Sequence, residues 1–483
     1  MRVCRGTSCE LAGAARVATA LAADGPVRGA HCLGHCHRSP VALDSEGGVL
    51  VDVDPRRVLG RLRERAPLPA PPRIECLASE PILTRRIARG DFSPLGKAQA
   101  DGAWGVLEAA LAGPPEAVLA AVETSGHHGP GDTTAPSGAR WRACAATPGP
   151  RVAIAAANEG DRSSFIDRVL LERDPHGVLE GLALCAFAVG ATRAVVLVRS
   201  EYPRALGRMR VAVAEAERAG LLGARLCGRG PPLAVDVVEG VSSIRCTDTA
   251  LEGEPREPTA AATRPRLPGE VEQALGERPA VVNDVETLVS TPWIVERGAD
   301  AFAAVGTSAS NGTQALCLNA GFAQPGIVEV PFGTKLLDVI QNWGATPCRS
   351  DELAGVFTGG PLGSFLPPEA CDVVICRETL AERKVRLGRG GLVAVRRHHD
   401  LAGLVRHLLS FLADESSERC QPCRTGSSSA HRLAEEDPIG NAAAIRGCLA
   451  TMRAAGLCAF GLDAPGPIET LLSMLTATGA ARA

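Results

Sequence analysis

A glycine-rich loop followed by a buried strand, between Ser125 and Arg168, constrains the fold of this chain more than any other stretch. The loop is rich in Gly, Pro, Ser and Thr, a composition suited to backbone amides that line a phosphate or a flat ring. The apolar run Val152 to Ala157 then breaks at the polar sequence Asn158-Glu159-Gly160. Parallel strands end in this way at the edge of an α/β sheet, where ligands usually bind. We therefore expect a cofactor site at this edge.

Strands and helices alternate on both sides of the loop. The lengths of these segments indicate βαβ units and a parallel sheet. The predicted helices are 80–89, 104–112, 178–189 and 203–219, and the predicted strands are 152–157, 194–198 and 233–238.

Length and composition place the chain among soluble multidomain proteins. A chain of 483 residues is expected to form two to four domains. A net charge of −3 argues against a nucleic-acid partner. The apolar stretch 181–192 is too short to span a bilayer, and the N-terminus lacks the apolar core of a signal peptide. We therefore expect a cytoplasmic protein with no direct membrane insertion.

Two cysteine pairs lie in the first 65 residues: Cys4 with Cys9, and Cys32 with Cys36. Helical periodicity over 11–23, a hairpin over 41–53 and a closing helix over 56–65 predict a small α/β unit around them. With 17 cysteines and no export signal, metal ligation is favoured over disulfides. Four thiolates from two loops suit a [2Fe-2S] cluster or tetrahedral zinc, and a vestigial site is the third possibility.

The form of this cysteine pattern resembles that of thioredoxin-like [2Fe-2S] ferredoxins. The pattern is C-x4-C, followed by C-L-G-x-C from Cys32 to Cys36. The resemblance implies a ferredoxin head over 1–65 with a [2Fe-2S] cluster. A proline-rich linker over 66–72 then marks a domain boundary.

The central region resembles a family of redox subunits. The sequences DPHGVLEG at 174–181, VRSEYP at 198–203 and VVNDVETL at 281–288 are similar to signatures of the NADH-binding, FMN-carrying flavoprotein subunit of respiratory complex I. Diaphorase subunits of NAD-linked hydrogenases and formate dehydrogenases share this core. The resemblance implies an α/β multidomain fold. Its parts are a Rossmann-like FMN/NADH domain over 73–310, a β-grasp (SLBB-like) insert over 311–395 and a C-terminal helical bundle over 396–483.

The positions that hold the flavin in this family are altered here. The resemblance implies that Glu159 is the catalytic residue beside the flavin ring. It also implies that FMN is held by Gly129, Gly131, Arg140, Asn158, Glu159 and Asn283. Asp132 and Thr134 stand where the family has glycines in the loop, and Arg140 stands where the family has a lysine. Ala156 stands where the family has an Asn that contacts the flavin ring, and Asp284 stands at the second Asn of the family's V-N-N-V-E-T motif. Three alternatives follow: intact NADH oxidation, FMN with different dinucleotide handling, or a flavin-free scaffold.

The C-terminal segment resembles the [4Fe-4S] site of the same family. The family pattern E-S-C-G-x-C-x-P-C-R is matched at Cys420 and Cys423, and Cys458 matches its fourth cysteine, but Ser417 stands at the first ligand position. A [4Fe-4S] cluster takes four ligands, usually thiolates. Ser417 could bind iron through oxygen, water could complete the site, or the cluster could be absent.

The resemblance predicts a subunit that passes electrons from NADH through FMN to iron–sulfur clusters. The acceptor would be another redox subunit of a complex I-like, hydrogenase or formate dehydrogenase assembly. The alternative is a non-catalytic scaffold or relay subunit that keeps only the N-terminal [2Fe-2S] cluster.

Overall fold

The computed structural model describes residues 1–63, 69–90, 92–130, 135–157, 159–240, 278–347, 352–416, 421–456 and 459–480. The fold is mixed α/β, with three sheets and many helices in this part of the chain. Gly131 and Asn158 lie outside the described residues, as do Ser417, Cys420 and Cys458.

The N-terminal unit is a small sheet in the order β2-β1-β3-β4 with helices beside it. Strand β1 pairs in parallel with β2 and antiparallel with β3. The predicted hairpin over 41–53 is confirmed, because β3 and β4 pair through Ala42 and Leu50. The elements are β1 (Arg2–Cys4), α1 (Thr7–Leu11), α2 (Ala14–Leu21), β2 (Arg28–Ala30), β3 (Ala42–Leu43), β4 (Val49–Leu50) and α3 (Val58–Arg63).

The segment after the linker begins with a strand, β5 (Ile74–Cys76). The helix predicted over 80–89 is wrong, because this segment forms turns that end in a short 3₁₀ helix, Ile87–Arg89. The backbone N–H groups of Ile82, Leu83 and Thr84 donate to the buried carboxylate of Glu329 at 2.9 Å each. These bonds hold the segment in an irregular path. Four helices follow: α4 (Leu95–Ala100), α5 (Gly105–Ala110), α6 (Pro115–Thr124) and α7 (Ser137–Ala146).

The predicted parallel sheet is confirmed, with strand order β8-β7-β6-β9. Its first strand, β6, covers the predicted residues Val152–Ala157 and is buried throughout. Helix α9 begins at Pro175, where Asp174 accepts a hydrogen bond from the Gly177 amide as an N-cap. The elements are β6, α8 (Ile166–Arg173), α9 (Pro175–Val189), β7 (Arg193–Arg199), α10 (Pro203–Arg218), β8 (Ala234–Gly240), β9 (Ala280–Asp284), α11 (Val285–Arg297) and α12 (Ala299–Ala303).

A second large sheet has the order β13-β12-β14-β10-β11-β5. Strands β10 and β11 pair antiparallel, and β10 also pairs in parallel with β14. Strand β5 joins this sheet beside β11, so residues 74–76 pair with the third domain and not with the flavin-type sheet. The elements are β10 (Thr313–Leu318), β11 (Gly326–Pro331), α13 (Leu336–Asp338) with a π-helical turn (Val339–Trp343), β12 (Leu353–Thr358), β13 (Ser364–Leu366), α14 (Arg377–Glu382) and β14 (Gly391–Arg396).

Helices complete the chain, as the apolar periodicity from Leu401 predicts. Leu404, Leu408 and Leu412 are buried on one face of the first helix and pack against the helices that follow. None of the helices in the described ranges is long and apolar enough to cross a bilayer. The elements are α15 (Leu401–Glu415), α16 (Gln421–Glu436), α17 (Ala442–Ala455), α18 (Ala459–Asp463) and α19 (Pro465–Ala480).

Candidate cofactor sites

The four N-terminal cysteines meet in a buried group, here called the cysteine group: Cys4, Cys9, Cys32 and Cys36. Each side chain is at most 1% exposed. The Cys32 and Cys36 sulfurs are 3.4 Å apart, and the Cys9 thiol donates to the Ser39 hydroxyl at 3.3 Å. Two sequence-distant pairs therefore converge, as the spacing predicted.

The backbone around the cysteine group is arranged to receive negative charge on sulfur. The Gly6 and Leu33 amides donate to the Cys4 sulfur, and the Gly34 amide donates to the Cys32 sulfur, each at 3.4 Å. Hydrogen bonds from Cys36 and then Cys4 hold the pKa of Cys32 well below its usual value despite burial. Thiolates are the form in which cysteine binds metals.

The donors of the cysteine group are four buried thiols from two sequence-distant segments. A [2Fe-2S] cluster is held by four cysteine thiolates. The chemistry of these donors therefore fits a [2Fe-2S] cluster.

Three histidines near the cysteine group are packed against other domains. In the structure His35 and His37 are buried, and the His37 ring lies 4.9 Å from the Phe165 ring of the central domain. The His31 ring contacts Phe411 of α15. The His35 and His37 side chains are therefore enclosed by protein.

Glu159 follows β6 at the predicted edge of the parallel sheet. It has a positive φ of 59° and is fully buried. Its carboxylate accepts hydrogen bonds from the Ser164 hydroxyl (2.8 Å) and from the Asp167 and Arg168 amides (3.2 and 3.3 Å). The Tyr202 hydroxyl donates to it as well, at 3.2 Å. Glu159 thus binds the first turn of α8, where backbone N–H groups favour negative charge.

Two further predicted flavin ligands are held inside the central domain. The Asn283 side chain accepts a hydrogen bond from the Trp141 indole at 2.7 Å and donates to the Cys185 sulfur at 3.4 Å. Asn283 is completely buried. Arg140 lies on α7 and donates to the Val282 carbonyl at 2.5 Å. Asn283 therefore connects β9 to helices α7 and α9, and Arg140 connects α7 to β9.

Gly129 lies where a side chain would not fit. A Cβ atom there would be 2.8 Å from a carboxylate oxygen of Asp284 and 3.1 Å from the Thr287 hydroxyl. The Thr287 hydroxyl is buried, without a hydrogen-bond partner among the described residues. The glycine therefore allows the loop to pack closely against Asp284 and Thr287 at the strand edge. The unsatisfied Thr287 hydroxyl is the group at this edge that fits a polar atom of a bound cofactor.

An arginine from another domain reaches the same edge. Arg389, which precedes β14, donates to Asp167 at 3.0 Å and pairs with Asp284. Burial raises the pKa of Asp167 to about 7, and Arg389 opposes this shift. A cavity of about 240 Å³ lies beside Pro130, Gly160 and Arg389, and also touches Asp463 of α18. No motif in the sequence pointed to Arg389, because its partners lie far from it along the chain.

One of the predicted [4Fe-4S] ligands lies within the described residues. Cys423 is buried on α16, and Gly461 of α18 lies against it, since a Cβ on Gly461 would be 2.5 Å from the sulfur. The segment that follows Cys458 therefore approaches Cys423, as the ligand pattern requires.

Comparison with known proteins gives a consistent result. Residues 122–293 match the Nuo51 FMN-binding domain, and residues 403–478 match the NADH-ubiquinone oxidoreductase-F iron-sulfur binding region. The chain is 33% identical over 365 residues to the HndC subunit of the NADP-reducing hydrogenase of Solidesulfovibrio fructosivorans, with 73% of each chain covered. The chain belongs to the family of NADH-binding flavoprotein subunits of complex I and NAD(P)-reducing hydrogenases.

Other members of this family agree in sequence and structure. An NADH-quinone oxidoreductase subunit of Rhizobium meliloti (strain 1021) is 32% identical, over 72% of this chain and 83% of its own. A chain of an NAD⁺-reducing [NiFe]-hydrogenase in the H₂-reduced state superposes with a TM-score of 0.79 at 26% identity. That superposition covers 100% of this chain and 87% of the hydrogenase chain, so it includes the cysteine group.

Proposed function

We propose that this chain is an electron-transfer subunit that passes electrons from NADH through FMN to iron–sulfur clusters and then to a partner oxidoreductase subunit. The observation that carries the proposal is the buried cysteine group, which lies in one chain with the FMN-binding and iron–sulfur regions of the family. Cys32 and Cys36 also share a hydrophobic core with the parallel sheet. One continuous core therefore joins the cysteine group to the parallel sheet of the FMN-binding region.

The finer architecture follows the family. Residues 1–65 form a thioredoxin-like ferredoxin head, 66–72 a linker and 73–310 a Rossmann-like FMN/NADH domain, whose first strand, β5, pairs with the sheet of the next domain. Residues 311–395 form a β-grasp insert, and 396–483 a helical [4Fe-4S] domain. The order β2-β1-β3-β4 supports the first assignment, and the parallel pairing of β10 with β14 supports the β-grasp.

FMN, when bound, accepts hydride from NADH and releases electrons singly. Gly129 and Gly131 would leave room for the ring, and Glu159 would lie nearest to it. Arg140, Asn158 and Asn283 would complete the site. Asn283 and Trp141 act by holding β9 against α7, while Glu159 fixes the start of α8. These contacts keep the edge of the sheet rigid around the cofactor.

The electron acceptor would be another redox subunit of a hydrogenase, complex I-like or formate dehydrogenase assembly. A cytoplasmic location is part of this proposal. The cysteine group and Cys423 with its neighbours would supply the two routes by which single electrons leave the flavin domain. A partner subunit then needs to contact only one cluster.

FMN content and reduction by NADH test the proposal, with Gly129→Ala as the key variant. The wild type, purified without oxygen and supplied with FMN, is expected to hold one flavin per chain that NADH bleaches. The alanine Cβ would occupy the space between Asp284 and Thr287, and Arg389 holds Asp284 in place. We expect FMN affinity to fall at least about tenfold, or about 1.4 kcal/mol.

Gly96→Ala is the matched control, because a Cβ at Gly96 meets nothing within 4 Å. It should bind FMN as the wild type does. A wild type that holds two irons but no flavin after reconstitution would contradict the proposal. That result would support the alternative function, a relay subunit without FMN. The Arg389–Asp284 pair and the burial of Asn283 favour this alternative.

Ser417→Cys is expected to increase iron by up to four atoms per chain. The change restores a fourth thiolate to Cys420, Cys423 and Cys458, and [4Fe-4S] clusters are held by four thiolates. Iron and sulfide analysis with low-temperature EPR measures the result. Ser416→Cys, one residue away, is the control and should leave iron unchanged. Equal iron in wild type and Ser417→Cys would indicate that the site is already complete or has been lost.

A further inference from the structure

A buried arginine connects the cysteine group to the flavin-type edge. Arg199 ends β7 and is 1% exposed. Its guanidinium donates to the Cys32 carbonyl at 3.0 Å and to the Tyr202 hydroxyl at 3.5 Å, and it lies 4.8 Å from the Tyr202 ring centre. Tyr202 in turn donates to Glu159. The polar path therefore runs from the Cys32 backbone to Glu159 through two side chains.

Arg199 remains charged in this position. Burial alone would lower its pKa, but Tyr202, Glu201 and Cys32 more than offset this and raise it. Glu201 is buried beside it, with its carboxylate 3.4 Å from the guanidinium. A second buried cation, Arg162, also acts electrostatically on Arg199 and Cys32. The charges around the Cys32 side of the cysteine group are thus set by buried residues of the central domain.

Buried charges act strongly on one another because water and salt screen them little. Reduction adds one negative charge to an iron–sulfur cluster, and net charge and hydrogen bonding set its potential. A fixed cation bound to the Cys32 loop therefore stabilises the reduced cluster and raises its reduction potential. A fixed anion nearby destabilises the reduced cluster and lowers this potential. The Arg199–Glu201 pair contains one charge of each sign.

We propose that Arg199 and Glu201 are positioning residues that set the reduction potential of the N-terminal cluster, Arg199 raising it and Glu201 lowering it. The inference rests on the proposed function, since it requires the cysteine group to hold a cluster. It adds that the flavin-type domain, through the end of β7, controls how readily that cluster accepts an electron.

Redox titration of the full chain, followed by EPR with dithionite as reductant, tests the proposal. Arg199→Gln is expected to lower the midpoint potential. At a fixed potential the ratio of reduced to oxidised cluster should fall about tenfold, which is about 59 mV for a one-electron couple. Glu201→Gln is expected to raise the midpoint by a similar amount, because the anion is removed while Arg199 remains.

Arg193→Gln is the matched control. Arg193 lies at the opposite end of the same strand, is 53% exposed and pairs with Asp236. Its removal should leave the potential unchanged. Opposite shifts in Arg199→Gln and Glu201→Gln distinguish electrostatic control from disturbed packing, which has no reason to reverse sign.

Iron content separates the possible failures. Wild type without two irons in the cysteine group would overturn the proposed cluster and this inference together. Normal iron with no shift, or with shifts of the same sign, would overturn this inference alone. Should Arg199→Gln fail to fold, Glu201→Gln decides by itself, and an unchanged or lower midpoint overturns the proposal.

Discussion

Replacing Cys32 with serine is expected to abolish the [2Fe-2S] EPR signal and to remove two irons per chain. Cys32 is completely buried, adopts a φ of 90° and lies 3.4 Å from the Cys36 sulfur. The backbone of Cys32 thus holds its sulfur in one position between Cys4 and Cys36. Because clusters are held by thiolates, a hydroxyl at this corner is a poor ligand. Iron analysis and EPR of the reduced protein measure the loss.

Cys76→Ser is the matched control for this experiment. Cys76 is half-buried in β5, which belongs to a different sheet from the cysteine group, and its thiol donates to the Ala78 carbonyl. The control variant should keep both irons and the full signal. Retention of the [2Fe-2S] signal in Cys32→Ser would show that the ligand set is not Cys4, Cys9, Cys32 and Cys36.

Replacing Gly181 with alanine is expected to destabilise the central domain severely. Gly181 lies within α9, and a Cβ there would be 1.9 Å from the carbonyl oxygen of Leu288 in α11. The obstructing atom belongs to the backbone, so the two helices would have to separate. Overpacking typically costs about 1–3 kcal/mol, and a clash with backbone lies at the upper end of this range, a large part of an ordinary domain's stability of about 5–15 kcal/mol. Thermal and urea unfolding measure the effect.

Gly207→Ala provides the comparison, because Gly207 also lies within a helix, α10. A Cβ at Gly207 meets nothing within 4 Å. That substitution should stabilise the protein by about 1 kcal/mol, since alanine has the higher helix propensity. Equal unfolding midpoints for the two variants would contradict the close packing of α9 against α11.

Much of the fold was determined by local sequence. Strand β6 was predicted to the residue because an apolar run bounded by polar residues has one plausible role in an α/β sheet. The hairpin of β3 and β4 followed from the turn at Ser45 to Gly48. The helix over 80–89 was predicted wrongly, because the partner that takes its amides, Glu329, lies far away in the chain. Helices α6, α7 and α8 were missed where the sequence was interpreted as loop or connector.

The candidate sites divide in the same way. The cysteine group and the positions of Gly129, Glu159 and Asn283 at the sheet edge were accessible from motif and spacing. Their surroundings were not, because the partners come from distant segments and have no pattern of their own. The family resemblance predicts that Glu159 lies near the flavin, and only the structure shows that its carboxylate accepts hydrogen bonds from α8 and Tyr202.

The sequence by itself determined strands β6, β7 and β8 of the parallel sheet, the cysteine pairs and the family, since these depend on periodicity and short motifs. Only the tertiary structure decided that Arg389 reaches Asp167 and Asp284, that β5 joins the second large sheet, and that Arg199 links the Cys32 loop to Tyr202. The physical reason is that a buried ion or hydrogen-bonding group requires a partner that is close in space. That partner can lie anywhere along the chain, so local sequence does not reveal it.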